Sequence, residues 1–425
     1  MASPSGLSEV DGLPRVIRMR ITAGLFVCIS AMVTLYSALP ARRVLAQDAE
    51  VRALWVLRTS LESPEAIRRM VSSASANGFN ALFVQVRGRG DAYFNDGIEL
   101  RALALARQPA GFDPLAETLK EAHARGLRVH AWVNINLVSS ATALPPGRDH
   151  VIYEHPEWLM VPRELAPELA AIDPRSPEYL GRLARWTRAN TARVEGLYVS
   201  PLHPDANLQA AAVVADLASR YAVDGVHFDY IRYPGADFDY SRAALDRFKA
   251  DVRRGLSAPE RARVDQLEAA DPFAYPDAFA TEWRLFRQSQ LTALVTRLRT
   301  SVRAARPAAI VSAAVAPDVD LALRDTLQDW RTWLDNGYLD ALCPMAYTTE
   351  PAQFARQITN VLMLAGGRPV WAGIGAYRLS PQATIDNIAA ARRLGTSGVV
   401  LFSYDSLISP PNGPEYLSTI ARAAF

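Results

Sequence analysis

Asp224-Gly225-Val226-His227-Phe228-Asp229-Tyr230-Ile231-Arg232-Tyr233-Pro234 reads as a short apolar strand that ends in a carboxylate and runs on into polar and aromatic groups. Side chains alternate along a strand, so His227 and Asp229 share one face while Val226 and Phe228 share the other. The second face suits a hydrophobic layer. The first carries chemistry at its C-terminal end, where parallel barrels and open α/β sheets hold their sites. Asp224 lies at the opposite end, about 16 Å away by strand rise, so the two carboxylates do not form a pair. Asp229 is therefore the expected catalytic group.

Outward from this strand, short apolar runs alternate with longer amphipathic ones, the pattern of βα units on a parallel sheet. Eight strands are expected, at 52–58, 80–86, 128–135, 224–230, 309–316, 340–347, 370–376 and 399–404. Eight such units predict an α/β fold of the closed (β/α)8 TIM-barrel type. Ser63 and Gly78 bracket a helix over 64–77, and Ser380 and Gly395 bracket another over 381–394, each with proline at its first position. Two connections are too long for ordinary barrel loops, from Asn136 to a helix near Asp205 and from Ile231 to Ala308. The first includes a possible extra strand at 196–200, the second a long helix over about 277–305. Both leave the C-terminal ends of their strands and would wall a cleft.

Strand parity supplies the rest of the candidate site. Gln85 and Arg87 share a face of the second strand, His130, Trp132 and Asn134 a face of the third, and His227 and Asp229 complete a polar wall. Arg232 and Tyr233 follow directly. On the far side Trp371, Tyr347 and Tyr404 mark three more strands, and aromatic side chains with N–H or O–H groups suit the faces and hydroxyls of sugar rings. Gly373 and Gly375 leave room for a ligand or for a bulky neighbour. A purely structural hydrogen-bond network is the competing reading for the polar wall. His130, His227 and Asp229 lack the spacing of a metal site, and Gly88-Arg89-Gly90 lacks the Walker lysine and the dinucleotide fingerprint. No metal and no cofactor is expected.

The chain has 425 residues, half of them hydrophobic, and a net charge of +2. Lys120 and Lys249 are its only lysines, and its arginines form no basic block, so no nucleic-acid partner is expected. Arg15, Arg18 and Arg20 precede an apolar run from Ile21 to about Leu39, then Val44-Leu45-Ala46. That order is the order of a secretory signal peptide over residues 1–46, ahead of a barrel over 47–425. Export to the periplasm or medium is expected, without stable membrane insertion unless this segment stays uncleaved, as Arg42 and Arg43 beside the cut would allow. Cys343 is then the one cysteine of the mature chain, which rules out a disulfide framework within it.

Taken together, Arg52-Ala53-Leu54-Trp55-Val56, Phe83-Val84-Gln85-Val86-Arg87, Gly90-Asp91-Ala92-Tyr93, His130-Ala131-Trp132, 224–234, Pro344-Met345-Ala346-Tyr347 and Phe402-Ser403-Tyr404 resemble the glycosyl hydrolase-like family 10 barrels of bacterial envelopes. The resemblance implies a (β/α)8 barrel, an envelope or secreted location, and hydrolysis of glycosidic bonds in a polysaccharide. Some members of that family cleave peptidoglycan glycan strands, preferentially those stripped of stem peptides. A more distant similarity to family 18 chitinases rests on Asp224, Gly225, Asp229, Met345 and Tyr347, but Ile231 stands where their catalytic glutamate would be.

Glycoside hydrolysis needs an acid for the leaving oxygen and a second group that attacks or activates water. Asp229 is assigned the first role, with Asp91, Asp318, Asp320, Glu350 and Asp405 as candidates for the second. With an N-acetylated substrate, the sugar's own amide would be the nucleophile and Tyr347 would orient it. Asp229 as nucleophile, steadied by Arg87 or His227, is the alternative assignment. A carbohydrate-binding barrel without catalysis is the competing function.

Overall fold

The computed structural model describes residues 50–425, which form one compact unit. The export segment expected over 1–46 lies outside the described residues. Eight parallel strands, β1 (Val51–Val56), β2 (Ala81–Arg87), β3 (Arg128–Asn134), β4 (Gly225–Asp229), β5 (Ile310–Val315), β6 (Ala341–Pro344), β7 (Trp371–Ile374) and β8 (Gly398–Phe402), run in the order β6-β5-β4-β3-β2-β1-β8-β7. Isolated bridges Leu342↔Val370 and Met345↔Gly373 join β6 to β7 and close the ring. The chain is thus a (β/α)8 barrel, as the eight βα units imply.

The two faces of each strand do different work. Leu54, Val84, Val133, Phe228, Val315 and Leu401 point outward into the main core with the surrounding helices. Ala53, Trp55, Phe83, Trp132, Cys343, Trp371 and Val400 fill the interior. In register, Phe83 pairs His130 and then Gly225, while Trp132 pairs His227 and then Ser312, so side chains from adjacent strands stack in layers. Helices Pro64–Ala76 and Pro381–Leu394 start on Ser63 and Ser380, whose hydroxyls accept the N–H groups of Ala66 and Ala383. Gly78 at φ +75° and Gly395 at φ +92° follow their ends.

The connections after β3 and β4 build a second hydrophobic core. Trp158, Leu159, Val161, Tyr179, Leu183 and Leu197 from the first meet Tyr240, Phe248, Tyr275 and Trp283 from the second. The long helix begins at Ala280 rather than near Asp277, because a short helix, Ala274–Ala278, precedes it and the backbone turns at Phe279. The extra strand expected at 196–200 is reduced to single bridges, Leu137↔Tyr198 and Leu159↔Val199. Among the described residues no helix is long and apolar enough to cross a membrane.

Candidate active site

A cleft of about 530 Å³ opens at the C-terminal ends of the strands, lined by Gln85, Trp132, Asn134, Asp229, Arg232 and Tyr347 among the expected residues. Its wall also includes Arg58, Arg89, Glu195, Tyr230, Met345, Tyr377 and Phe402.

Asp229 is the last residue of β4, and the chain turns sharply behind it. Tyr230 takes φ +48°, a left-handed conformation disfavoured for a residue with a side chain and most common at functional sites. The turn folds the Tyr230 N–H back onto Asp229 Oδ1 at 2.6 Å. Arg232 approaches the same oxygen at 3.4 Å and lies 4.2 Å from the centre of the Tyr230 ring. Burial raises the carboxyl above the ordinary aspartate range. The Arg232 charge, the Tyr230 N–H and the Trp132 indole oppose that rise, and the negative charge of Glu195 adds to it. The Tyr347 hydroxyl is pushed up as well, by burial first and then by the Asp229 charge.

Glu195 is the carboxylate that strand parity missed. It comes from the loop after β3, stands 3.7 Å from Arg232, and accepts a 2.6 Å hydrogen bond from Tyr198. A two-stranded pairing fixes it: Val138 N–H donates to the Leu197 carbonyl and Ala141 N–H to the Glu195 carbonyl, both at 2.8 Å. Gly196 permits this approach, since a Cβ there would stand 1.7 Å from the Ser139 carbonyl oxygen. The available signal was the acid placed just before the glycine of the suspected strand.

None of the five carboxylates expected as partners lines the cleft. Asp405 caps the end of β1, accepting from Leu57 N–H, Thr59 and Ser60. Asp318 caps a short helix through the N–H groups of Asp320 and Leu321. Asp91 accepts the Arg89 N–H, and Asp320 and Glu350 are exposed away from the mouth.

Six expected substrate contacts are likewise placed elsewhere. The β2–β3 register shifts between Gln85 and Arg87, so the alternation slips and Arg87 leaves the mouth. Its guanidinium forms a buried two-point ion pair with Glu99 at 2.6 Å and donates to the Ile135 carbonyl. His130 and His227 keep their inward parity but lie too deep. His227 accepts the Trp55 indole N–H at 3.2 Å and meets Ser312 at 2.9 Å. His130 stacks on Phe83 and occupies the space that a Cβ on Gly225 would need. Burial depresses both imidazoles, His130 to about 3, so they stay neutral. Trp371 opens β7 at the barrel floor, edge-on to Phe83 and His130. Tyr233 is fully buried beside the β4 end, and Tyr404 begins a short helix that packs outside the barrel.

Gly373 and Gly375 make room for neighbours, since a Cβ would meet Trp55 and the Pro344 carbonyl at the first and Tyr347 at the second. Trp132 reaches the cleft but is only 2% exposed, and its indole N–H donates to Asn134 Oδ1 at 2.9 Å. Tyr377 on the rim is 45% exposed and makes edge contacts with Tyr347 and Phe402, so it is the accessible aromatic face. Among the described residues no cluster of three or more His, Cys, Asp or Glu has the geometry to hold a metal.

The barrel fold agrees with what the chain is similar to. The model of the glycosyl hydrolase-like 10 family matches residues 50–365. Glycosyl hydrolase YngK of Bacillus subtilis is 22% identical over 335 residues, covering 71% of this chain and 54% of YngK. Glycosyl hydrolase DigH of Escherichia coli K12 is 28% identical over 287 residues, covering 64% of this chain and 55% of DigH. The chain thus spans little more than half the length of these relatives. Among solved structures, the PgaB (BpsB) glycoside hydrolase domain from Bordetella bronchiseptica superposes with a TM-score of 0.59 at 17% identity, over 88% of this chain and 99% of that domain. An α-L-fucosidase from Paenibacillus thiaminolyticus gives 0.57 at 16%, over 88% of this chain and 49% of the enzyme. At these identities the structures establish the fold alone.

Proposed function

Because the chain belongs to the glycosyl hydrolase-like 10 family, we propose that it is an exported glycoside hydrolase acting on a polysaccharide, with peptidoglycan glycan strands as the leading substrate. The observation that carries the reading is the raised, buried carboxyl of Asp229 at a barrel strand end, facing a cleft whose other carboxylate is Glu195. A carboxyl that holds its proton more tightly than an ordinary aspartate is suited to donate it to the leaving oxygen. One guanidinium spans Asp229 and Glu195, which limits the separation of the facing oxygens to roughly 10 Å at most, compatible with a glycosidase pair. Glu195 is then the group that activates water or attacks the anomeric carbon, replacing the five candidates that lie outside the cleft. If the sugar carries an N-acetyl group, Tyr347, which also lines the cleft, would orient that amide. Export rests on the basic, apolar and small-residue order of residues 1–46.

The test is mass spectrometry of products after incubation of the purified protein with peptidoglycan, intact and stripped of peptides, and with plain glucans. New reducing ends from one of them, lost in Asp229→Asn, are expected. Binding without any new reducing end would overturn the hydrolase reading in favour of a carbohydrate-binding barrel. N-terminal sequencing of the secreted form, expected to begin near Gln47, tests export.

A further inference from the structure

Besides the acidic pair, the wall of the cleft holds two further arginines. Arg232 lies 3.4 Å from Asp229 and 3.7 Å from Glu195, but Arg58 and Arg89, also in the wall, form no ion pair within 4 Å among the described residues. Asp91 accepts the backbone N–H of Arg89 at 2.9 Å and its charge favours the charged guanidinium without a direct ion pair, and Arg58 lies beside the Tyr93 hydroxyl. Two guanidiniums facing one cavity repel each other, and Arg58 disfavours the charged form of Arg89 after burial does. Arg89 is solvent-exposed and Arg58 half-buried, so both guanidiniums are open to an entering anion.

The two side chains are also held in position. Arg58 donates to Gln85 Oε1 at 2.8 Å and crosses the backbone of Gly88. A Cβ on Gly88 would stand 2.7 Å from Arg58 Nη1 and 2.9 Å from its Cδ, so the missing side chain at 88 is the seat of the arginine. The Gly88 carbonyl is fixed in turn by Asn134 Nδ2 at 2.8 Å. Arg89 follows in the same turn, where His150 Nε2 bonds its carbonyl at 2.8 Å and packs against Gly90, whose φ is +71°.

We propose that Arg58 and Arg89, seated on the Gly88 turn, form a carboxylate-binding subsite beside the acidic pair, so that the glycan carries a carboxylate on a sugar ring or on an ether substituent of the ring. The proposal rests on the reading of the cleft as a glycan site. A planar guanidinium matches a carboxylate in two-point geometry, and two of them gather both oxygens from different directions. The same charges disfavour a cationic sugar. The arginines belong to the loops after β1 and β2 and the acidic pair to the end of β4 and the loop after β3, so the subsite would hold a sugar flanking the bond to be cut.

Binding is measured by calorimetry with the full-length Asp229→Asn protein, which keeps turnover out of the readout. The probes are uronic-acid oligosaccharides and peptide-free peptidoglycan strands, each before and after amidation of its carboxylates. Amidation of at least one probe is expected to weaken binding about tenfold or more. Which probe responds identifies the source of the carboxylate. In the Asp229→Asn background, adding Arg58→Gln together with Arg89→Gln should abolish the difference. Adding Gly88→Ala instead should shrink it by displacing Arg58, with Tm unchanged because only a flexible side chain has to move. Equal binding of native and amidated probes, binding of neither, or a preference indifferent to both arginines would overturn the subsite. Hydrolysis of neutral glycans by the unsubstituted protein would leave the hydrolase reading standing in those cases. Arginine-dependent carboxylate binding without any hydrolysis would support the subsite and sink the hydrolase reading.

Discussion

The floor of the barrel and its mouth are built from the same inward-facing positions, yet they obey different physics. On the floor, Trp55, Phe83, His130, His227 and Trp371 pack ring against ring, and the polar atoms of His227 are paired with protein groups. At the mouth, burial makes Asp229 hold its proton more tightly, and Arg58 and Arg89 have no ion-pair partner within 4 Å among the described residues. Inward parity therefore identifies what faces the axis. Depth along the strand decides whether that group packs or reacts.

Removal of the proton from the mouth should separate the two regions most widely. Asp229→Asn keeps shape and most hydrogen bonding, so activity should fall roughly 10²- to 10⁴-fold with the fold intact. Stability should move the other way. With its folded pKa raised above the unfolded value, Asp229 contributes stability below the unfolded pKa and loses it as pH rises through the folded one. Asp229→Asn is accordingly expected to raise Tm at neutral pH, with the gap closing below about pH 4. Activity of the unsubstituted protein should decline on the alkaline side as the donor loses its proton. Asp224→Asn is the matched control at the other end of the strand, where Asp224 accepts the Val129 N–H at 2.7 Å and pairs with His123. It should lower Tm and spare kcat. Normal hydrolysis by Asp229→Asn would end the catalytic assignment.

Glu195→Gln should follow, with a loss of roughly 10²-fold if Glu195 serves as base or nucleophile. Gly196→Ala should reproduce much of that loss by forcing the loop off Ser139, and circular dichroism should find the barrel itself unchanged. Full activity in Glu195→Gln would return the second role to the substrate's own amide.

The contrast explains what could be read from the sequence. The eight strands were legible because each is buried on both faces, and the helix ends because serine, proline and glycine mark them chemically. Asp229, Trp132, Asn134, Gln85, Arg232 and Tyr347 were legible as cleft-lining positions by parity and by nearness to strand ends. Arg87 was misread because a bulge in β2 breaks the period of two, which composition does not reveal. His130, His227 and Trp371 were misread because parity carries no depth. Glu195 was hidden because it reaches the mouth through the long excursion after β3, where no strand period operates. Arg58 was hidden because its position depends on an absent side chain at Gly88.

On the floor, His227→Ala should cost stability rather than rate. It strands the Trp55 indole N–H and Ser312, and it opens a cavity in a packed layer, together about 3 kcal/mol. Urea unfolding should register the loss while kcat of the folded fraction holds. A kcat loss with unchanged stability would move His227 into the reaction.

The smallest effect is expected on the rim, where Tyr377 rather than Trp132 offers an accessible aromatic face. Trp132 is packed against Phe402 and nearly inaccessible, so truncating it would unpack the barrel and confuse binding with stability. Tyr377 is the cleaner probe, because it is 45% exposed and touches Tyr347 and Phe402 only edge-on. A stacked sugar gains about 1 kcal/mol from such a face, held alike in the ground and transition states. Tyr377→Ala should therefore raise KM about fivefold, with kcat and Tm unchanged. If kcat fell instead and KM held, Tyr377 would be acting on the reacting bond, and the boundary between rim and reaction centre would lie further out than the geometry of Asp229 implies.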